Sequence, residues 1–206
     1  MRMRKKKHAA ERLLACSEIV ITEPEQILND GKRYELEIGC GKGSFICETA
    51  RRNPDTSYIA LEKVTDIIML AAEKAMAMEL GNLRFINTDA KNLPLYFGAG
   101  QVSQIYLNFS DPWPKKGYYK RRLTYAAFLD LYKSILVPGG GLRLKTDNAA
   151  FFEVSLESLS ANGFEIRAST DDLHNSDYNE GNVMTEYETQ FAARGMPIHW
   201  LDAYLK

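Results

Sequence analysis

The feature that most constrains the fold of this chain is a glycine-rich turn between a strand-like run and a helical pattern. Residues 35–38 lead into Gly39, Gly41 and Gly43, after which the helical pattern begins at Ser44. Glycines at such a junction let the backbone turn sharply and approach a ligand, and the following helix offers free amide groups. The spacing is neither the dinucleotide pattern G-x-G-x-x-G nor that of a phosphate-binding P-loop. The turn therefore predicts a nucleotide-type site in an α/β sheet.

Glu37 narrows the class of ligand, because it lies in the strand just before the glycines. A carboxylate there would repel a pyrophosphate and attract a cationic cofactor that carries an amino acid group. S-adenosylmethionine is such a cofactor. We therefore predict that Glu37, Gly39, Gly41 and Gly43 bind it.

Two later strand-like runs also end in acids. Glu62 closes residues 58–62, about twenty residues after the loop, where a Rossmann-like site needs an acceptor for ribose hydroxyls. Asp89 follows residues 83–87 and is the candidate for the adenine amino group. Taken singly, each acid is equally explained as a helix N-cap or a solvated residue. Three successive strand ends that carry acids favour one shared crevice.

Residues 108–116 combine a carboxylate, two prolines, an indole and a basic pair directly after the apolar stretch 105–107. Pro112 and Pro114 lack amide donors and restrict their neighbours, so the strand must end here in a stiff turn. Asp111 is thereby presented at the carboxyl end of a strand, where ligands bind in open α/β sheets. The alternative interpretation is a proline turn whose aspartate binds local amides.

The net charge of −1 conceals two basic clusters. The first is an N-terminal arm, residues 1–12, which we predict to be flexible. The second follows the Asp111 turn and comprises Lys115, Lys116, Gly117, Tyr118, Tyr119, Lys120, Arg121 and Arg122. Its cations suit phosphates and its aromatic rings suit stacking on a base, so RNA is the predicted partner. A solvated helix start is the alternative.

Composition is consistent with one domain spanning residues 1–206, since 45% of the residues are hydrophobic. The 3 cysteines and 3 histidines show no metal-ligand spacing, so we expect no metal and a reduced, cytoplasmic protein. No apolar run approaches the length of a membrane span, and the basic N-terminus lacks the features of a signal peptide.

The second half of the chain continues the β-loop-α alternation. Its spacing predicts helices over 123–136 and 149–161, strands over 141–148 and 164–168, and a ligand-ordered loop over 171–183. A last strand is predicted over 188–192. The acids Glu186 and Glu188 beside Thr185 suit the Watson–Crick edge of guanine, but an ordinary strand edge explains them equally. The alternation predicts a mainly parallel sheet.

Together these segments resemble the bacterial tRNA (guanine-N7)-methyltransferases over nearly the whole length. The resembling pieces are residues 37–43, 106–116, 120–123, 145–148, 172–176 and 185–188. The resemblance implies transfer of a methyl group from S-adenosylmethionine to the variable-loop guanine at position 46 of tRNA. It also implies a Rossmann-like fold, with a mainly parallel central sheet, an antiparallel last strand and helices on both faces.

The resemblance also assigns roles to individual residues. It implies that the cofactor is bound by Glu37, Glu62, Asp89 and Asp111, and that Asp111 is also catalytic. The implied substrate contacts are Lys115, Asp147, Thr185, Glu186, Tyr187 and Glu188. The implied RNA contacts lie in residues 117–122.

Two alternatives stay open at this point. An amino-group methyltransferase is one, because residues 110–114 are similar to the turn by which such enzymes grip exocyclic amines. A non-catalytic RNA-binding protein on the same fold is the other. The sequence does not distinguish a monomer from a homodimer.

Overall fold

In the computed structural model, which describes residues 8–206, one eight-stranded sheet runs through the molecule. Its strands are β1 (Val20–Ile21), β2 (Tyr34–Ile38), β3 (Tyr58–Leu61), β4 (Leu83–Ile86), β5 (Val102–Asn108), β6 (Leu136–Thr146), β7 (Phe164–Thr170) and β8 (His199–Leu205). They are ordered β1-β4-β3-β2-β5-β6-β8-β7. Every neighbouring pair is parallel except those of β8, which is antiparallel to both β6 and β7. The predicted fold class, including an antiparallel last strand, is confirmed.

Helices connect most of these strands and cover both faces of the sheet. They are α1 (Ala9–Leu14), α2 (Ser44–Arg52), α3 (Thr65–Ala77), α4 (Leu93–Tyr96), α5 (Ala126–Ile135), α6 (Ala149–Ala161) and α7 (Glu186–Ala192). The predicted helix at 149–161 has the observed bounds of α6, and α5 lies within the predicted 123–136.

Side chains that alternate along the strands divide the core into two layers. On β2, Leu36 and Ile38 face the cluster that contains the buried side of α5 and α6. On β3, Tyr58 and Ala60 face the second cluster, with α2 and α3. Glu37 alternates with Leu36 and Ile38, and its neighbour on β5, Tyr106, lies in the α2–α3 layer. The carboxylate is therefore held inside the molecule rather than in solvent.

The last part of the predicted flexible arm, residues 1–12, is attached to the domain. Residues 1–7 lie outside the described part of the chain, but α1 begins at Ala9, and Arg12 makes an ion pair of 2.7 Å with Glu73 on α3. Leu13 is buried in the α2–α3 layer. The boundary at residue 12 is therefore wrong, because an apolar side chain and an ion pair attach this segment to the domain.

The predicted strand at 188–192 is also wrong, because these residues belong to helix α7. Thr185 and Glu188 form a capping box, in which each side chain accepts a hydrogen bond from the backbone amide of the other. This arrangement starts a helix at Glu186 and overrides the short β-like pattern. The last strand is β8 instead. The predicted loop 171–183 contains two 3₁₀ turns, Leu173–Asn175 and Asp177–Asn179.

The searched residues, 8–206, contain no helix that is long and apolar enough to cross a membrane. They also contain no group of three or more His, Cys, Asp or Glu side chains that could hold a metal ion. All 3 cysteines are buried and unpaired.

Candidate active site

A cavity of about 840 Å³ opens at the carboxyl ends of β2 to β5. The chain runs outward from β2 through β3 to β4 and then returns to place β5 on the other side of β2. The strand order therefore reverses between β2 and β5, which is where open α/β sheets bind ligands. Walls are contributed by the glycine loop, by the ends of β3, β4 and β5, and by the start of α7.

The three loop glycines serve two different purposes. Gly39 and Gly41 have φ values of 82° and 55° and line the cavity, and no heavy atom lies within 4 Å of an added Cβ at either position. Gly43 also has a positive φ, 76°, but a Cβ there would lie 2.8 Å from the Cβ of Ala71 on α3. Gly43 is absent from the cavity wall, so it permits close packing of the α2 start on α3 rather than contact with a ligand.

Glu37 is the most informative side chain of the cavity. It is 2% exposed, and its Oε1 accepts a hydrogen bond of 2.8 Å from the side-chain amide of Asn108. Its Oε2 is buried and has no hydrogen-bond partner among the described residues. Burial raises the pKa of Glu37 to about 7, although the Asn108 hydrogen bond lowers it. A buried acceptor without a donor is costly and is suited to a cationic or hydrogen-bonding group from a ligand.

Ser110 supplies a second buried polar atom in the same wall. Its Oγ is also without a hydrogen-bond partner within residues 8–206. Two such orphaned groups in one cavity indicate that a polar ligand belongs there. Together with the open glycine loop, they fit S-adenosylmethionine, which combines an amino acid group with a nucleoside.

Glu62 and Asp89 line the same cavity and also cap local backbone. Glu62 accepts a hydrogen bond of 2.9 Å from the amide of Val64, and Asp89 accepts one of 3.0 Å from the amide of Lys91. The sequence allowed each acid to be either a ligand-binding group or a local cap, and these two roles are compatible. Each carboxylate is oriented by an amide of the following turn and is presented to the cavity.

Asp111 lies exposed in the cavity wall, in a turn with unusual backbone geometry. Phe109 and Trp113, on either side of it, have φ values of 52° and 41°, a region that L-residues rarely adopt. The amide of Phe109 donates to the carbonyl of Lys145 at 2.8 Å, and the Phe109 ring stacks on Phe191 with centroids 6.0 Å apart. Such strain persists only where surrounding contacts determine the conformation, and it is concentrated at functional sites.

In the basic segment after Asp111, the two arginines contact neighbouring protein groups, whereas the three lysines are exposed to solvent. Arg122 donates from Nε to the carbonyl of Pro112 at 2.8 Å and so supports the Asp111 turn. The Arg121 guanidinium lies 5.0 Å from the ring centroid of Trp113 and 4.5 Å from that of Tyr118. Lys115, Lys116 and Lys120 are exposed to solvent. Lys120 and Arg121 reach the cavity wall, so the cluster borders the cavity mouth.

The segment before and within the first turn of α7 forms the opposite wall. Thr185, Glu186 and the 62% exposed Tyr187 line the cavity. The Glu186 carboxylate accepts hydrogen bonds from Lys42 Nζ at 2.8 Å and from Ser44 Oγ at 2.9 Å. The Lys42 hydrogen bond holds the pKa of Glu186 below its usual range. Glu186 is therefore an anionic group held by the glycine loop.

Three of the predicted substrate residues do not line the cavity. Glu188 is 0% exposed and its carboxylate binds the buried Lys145, so it does not line the cavity as Glu186 does. This corrects the expectation that both glutamates reach guanine. Lys115 and Asp147 are also absent from the wall, although Lys115 is exposed beside the cavity mouth and Asp147 is partly exposed.

Sequence reasoning missed four side chains that build the site. Lys42 and Asn108 orient the carboxylates of Glu186 and Glu37, while Lys145 and His174 bind Glu188. All four lie in or beside segments that the sequence singled out, but nothing in their spacing indicated which distant acid each would meet. Ser110 was likewise within the Asp111 segment without an assigned role.

The fold and the cavity define a Rossmann-like, S-adenosylmethionine-dependent methyltransferase. A family model described as "Putative methyltransferase" matches residues 32–201. A tRNA (guanine-N(7)-)-methyltransferase of Geobacillus sp. (strain WCH70) is 47% identical over 206 residues, which cover 97% of this chain and 93% of that protein. Its counterpart of the same name in Bacillus cytotoxicus is 44% identical over 210 residues, covering 98% and 96%. The chain belongs to the tRNA (guanine-N7)-methyltransferase family.

Solved structures agree on the fold. The crystal structure of a SAM-dependent methyltransferase from Aquifex aeolicus aligns with a TM-score of 0.61 and covers 95% of this chain and 90% of that chain. The sequences are 12% identical, so this likeness supports the architecture alone.

Proposed function

We propose that this enzyme methylates N7 of the variable-loop guanine, position 46, in tRNA, and that the cavity at the ends of β2 to β5 holds both the methyl donor and the acceptor base. The chemistry of the cavity carries this proposal. It combines a buried carboxylate at Glu37, whose Oε2 has no partner within residues 8–206, with an exposed carboxylate at Asp111, and a cationic and aromatic cluster borders its mouth. The activity is the one for which its relatives are named.

The cofactor end of the cavity is formed by Glu37, the open loop glycines, Glu62 and Asp89. S-adenosylmethionine, when bound, supplies a methyl group on a positively charged sulfur. Glu37 offers its free Oε2 to a cationic amino group, and Asn108 keeps the other oxygen in place. Glu62 and Asp89 offer acceptors for ribose hydroxyls and for the adenine amino group, in the order expected along a Rossmann-like sheet.

The acceptor requires positioning rather than activation. Guanine N7 carries an in-plane lone pair and no proton, so no general base has to generate the nucleophile. Correct orientation of two reactants can lower a barrier by roughly 7–11 kcal/mol. Glu186, kept anionic by Lys42, suits the N1 and amino donors of guanine, and Thr185 and Tyr187 stand on either side of it.

Asp111 is the catalytic residue of this proposal. Methylation at N7 places positive charge on the purine, and a carboxylate beside the base stabilises that charge as it develops. The turn that carries Asp111 is held by Arg122 and by the stacked Phe109, so the carboxylate needs little reorganisation. A fixed group of this kind is more effective than a mobile one.

The RNA outside the target base meets the exposed cations beside the cavity. Lys115, Lys116 and Lys120 suit phosphates, whereas Trp113, Tyr118 and Tyr119 present aromatic surface. We place the enzyme in the cytoplasm as a monomer or a homodimer. The buried, unpaired cysteines are consistent with a reducing compartment.

Incubation of the purified protein with methyl-labelled S-adenosylmethionine and an unmodified tRNA transcript tests this function directly. Mass spectrometry of the nucleosides should identify N7-methylguanosine, and a transcript with another base at position 46 should remain unlabelled. Methylation of an exocyclic amino group would instead support the amino-group methyltransferase. Absence of transfer, despite binding of both ligands, would support the RNA-binding protein.

A further inference from the structure

A buried polar cluster lies behind the wall that Thr185, Glu186 and Tyr187 form. Its members are Lys145, His174, Asn182 and Glu188, and we call it the Glu188 cluster. They come from the end of β6, from the segment between β7 and α7, and from α7 itself. None of the four side chains lines the cavity at the carboxyl ends of β2 to β5.

Hydrogen bonds and ion pairs join all four side chains of the Glu188 cluster. Lys145 Nζ donates to Glu188 Oε2 at 2.9 Å, to the carbonyl of Val183 at 2.9 Å, and to the side-chain carbonyl of Asn182. Glu188 Oε1 contacts His174 Nε2 at 2.9 Å and accepts from Asn182 Nδ2 at 2.7 Å. The side chains of Lys145 and Glu188 are 7% and 0% exposed.

The cluster joins the two sides of the active site. The backbone carbonyl of Lys145 accepts a hydrogen bond from the amide of Phe109, at the base of the Asp111 turn. Its Nζ also lies 5.5 Å from the ring centroid of Phe45, which lines the cavity. Glu188 binds the amide of Thr185 at 3.3 Å as part of the capping box. A displacement of Glu188 would therefore move the turn that presents Glu186 and Tyr187.

The segment 171–185 is attached to β8 near its start, where the amide of the buried Leu173 donates to the carbonyl of Ile198 at 2.8 Å and Tyr178 stacks on Trp200, whereas the Glu188 cluster holds its end. It forms no strand and contains only two 3₁₀ turns. A buried ion pair is weak evidence for stability, since apolar side chains of similar volume often replace one without loss. The cluster provides something that apolar side chains would not, namely directed hydrogen bonds to Asn182 and to the Val183 carbonyl.

We propose that Lys145, His174 and Asn182 are positioning residues that act through Glu188 to aim the first turn of α7 at the acceptor guanine. This inference rests on the proposed function, because it assigns that turn to the base. It predicts that loss of the cluster impairs use of tRNA and leaves binding of S-adenosylmethionine intact. Glu37 lies on β2, and Glu62 and Asp89 follow β3 and β4; within residues 8–206 none of the three carboxylates is hydrogen-bonded to the cluster.

The test compares Lys145→Met and Asn182→Ala with Arg143→Met as a matched control. Arg143 is on the same strand, two residues earlier, and makes an ion pair of 3.4 Å with Asp202 away from α7. We expect both cluster variants to raise KM for tRNA at least tenfold or to lower kcat comparably. Calorimetric Kd for S-adenosylmethionine should change less than twofold in Asn182→Ala, which keeps the Lys145 charge that acts on Glu37. Arg143→Met should leave KM for tRNA, kcat and Kd for S-adenosylmethionine within twofold of wild type.

A double variant, Lys145→Met/Glu188→Gln, separates positioning from stability. Lys145→Met alone leaves Glu188 buried as an uncompensated charge, so its Tm should fall, and the added change should restore much of that loss. The hydrogen bonds to Asn182 and Val183 remain absent, so KM for tRNA should stay raised. Recovery of both Tm and KM in the double variant would mean that the cluster is only structural and would overturn the proposal.

Hydrogen exchange supplies a readout that does not depend on activity. Amides of residues 182–192 should exchange at least tenfold faster in Lys145→Met than in Arg143→Met, while those of β2 and β5 stay unchanged. Equal exchange in the two variants would refute the positioning role, even if the wild type methylated tRNA normally. Conversely, a wild type that failed to methylate tRNA would refute the proposed function, and local exchange would still decide the role of the cluster in holding α7.

Discussion

At Glu37 the requirements of folding and of ligand binding oppose each other. The carboxyl group is buried with one oxygen unpaired, and burial raises its pKa from 4.5 to about 7. The native state therefore holds this proton more tightly than the unfolded chain does. As pH rises from about 4.5 through 7, ionisation of Glu37 therefore progressively lowers the free energy of unfolding of the protein without its cofactor.

Glu37→Gln should consequently stabilise the cofactor-free protein at pH 8. The amide keeps an acceptor for Asn108 and removes the buried charge, so the free energy of unfolding should rise by up to about 3 kcal/mol at pH 8 and by much less at pH 5. Urea unfolding at the two pH values measures the difference. The same variant should bind S-adenosylmethionine at least tenfold more weakly.

Glu157→Gln on the exposed side of α6 is the control for this experiment. Its stability should differ little from wild type at either pH. If Glu37→Gln showed the same pH dependence as wild type, the penalty assigned to the buried carboxylate would be absent.

Asp111→Asn tests the charge that the mechanism needs. The amide retains the size and some hydrogen bonds of the carboxylate but not its charge, so kcat should fall by about 10²-fold or more. Single-turnover methyl transfer to a tRNA transcript measures this loss. Asp130→Asn on α5 is the control, because Asp130 is exposed, lies outside the cavity wall and pairs with Lys133 at 2.6 Å. A near-normal kcat for Asp111→Asn would exclude Asp111 as the stabilising group.

At the scale of elements, the junction of the glycine loop with α2 depends on close packing against α3. Gly43→Ala should destabilise the protein by about 2–4 kcal/mol, because it adds the cost of a left-handed alanine to that of overpacking. The added Cβ would lie 2.8 Å from the Cβ of Ala71 and 3.3 Å from the Sγ of Cys47. Urea unfolding measures the change in the free energy of unfolding.

Gly81→Ala gives the matched comparison, since no heavy atom lies within 4 Å of a Cβ there. Its effect should remain within about 0.5 kcal/mol. Equal stability of the two alanine variants would show that α2 can shift away from α3 without cost.

Helix α7 shows why a local pattern can mislead. A last strand is predicted over 188–192, but the Thr185–Glu188 capping box and the stacking of Phe191 on Phe109 favour a helix. The capping signal, a Thr followed three residues later by Glu, is present in the sequence. Its consequence for function is large, because a helix turns Glu186 and Tyr187 to the cavity and Glu188 to the interior.

At the scale of the whole molecule, a net charge of −1 coexists with a cationic rim beside the cavity. Lys116→Ala and Lys120→Ala should each weaken tRNA binding and reduce the slope of log Kd against log salt by about one unit per lost phosphate contact. Filter binding across a salt series measures the slope. An unchanged slope would remove these lysines from the phosphate contacts.

Arg122→Met should behave differently from the lysine variants. Arg122 binds the carbonyls of Pro112 and Trp113, so its loss should lower kcat through the Asp111 turn and alter the salt slope less. A slope that falls as much as in the lysine variants would mean that Arg122 contacts phosphate instead.

The sequence by itself determined the fold class, the binding loop and the acids at the strand ends. Those features follow from local rules: glycines permit the turn at Gly39 and Gly41, Pro112 and Pro114 prevent a strand from continuing past Asp111, and parallel strands present their carboxyl ends to one edge. The observed cavity brings together Glu37, Glu62, Asp89 and Asp111, as these rules predict.

Only the tertiary structure decided which partner each buried polar group meets. Lys42 and Glu186 are 144 residues apart, and Lys145 and Glu188 are 43 apart. Such pairs depend on how α7 packs over the sheet. The sequence does not distinguish a glutamate that faces a cavity from one that faces a buried lysine. The sequence therefore proposed Glu186 and Glu188 as equals, whereas packing made the first a cavity wall and the second an internal anchor.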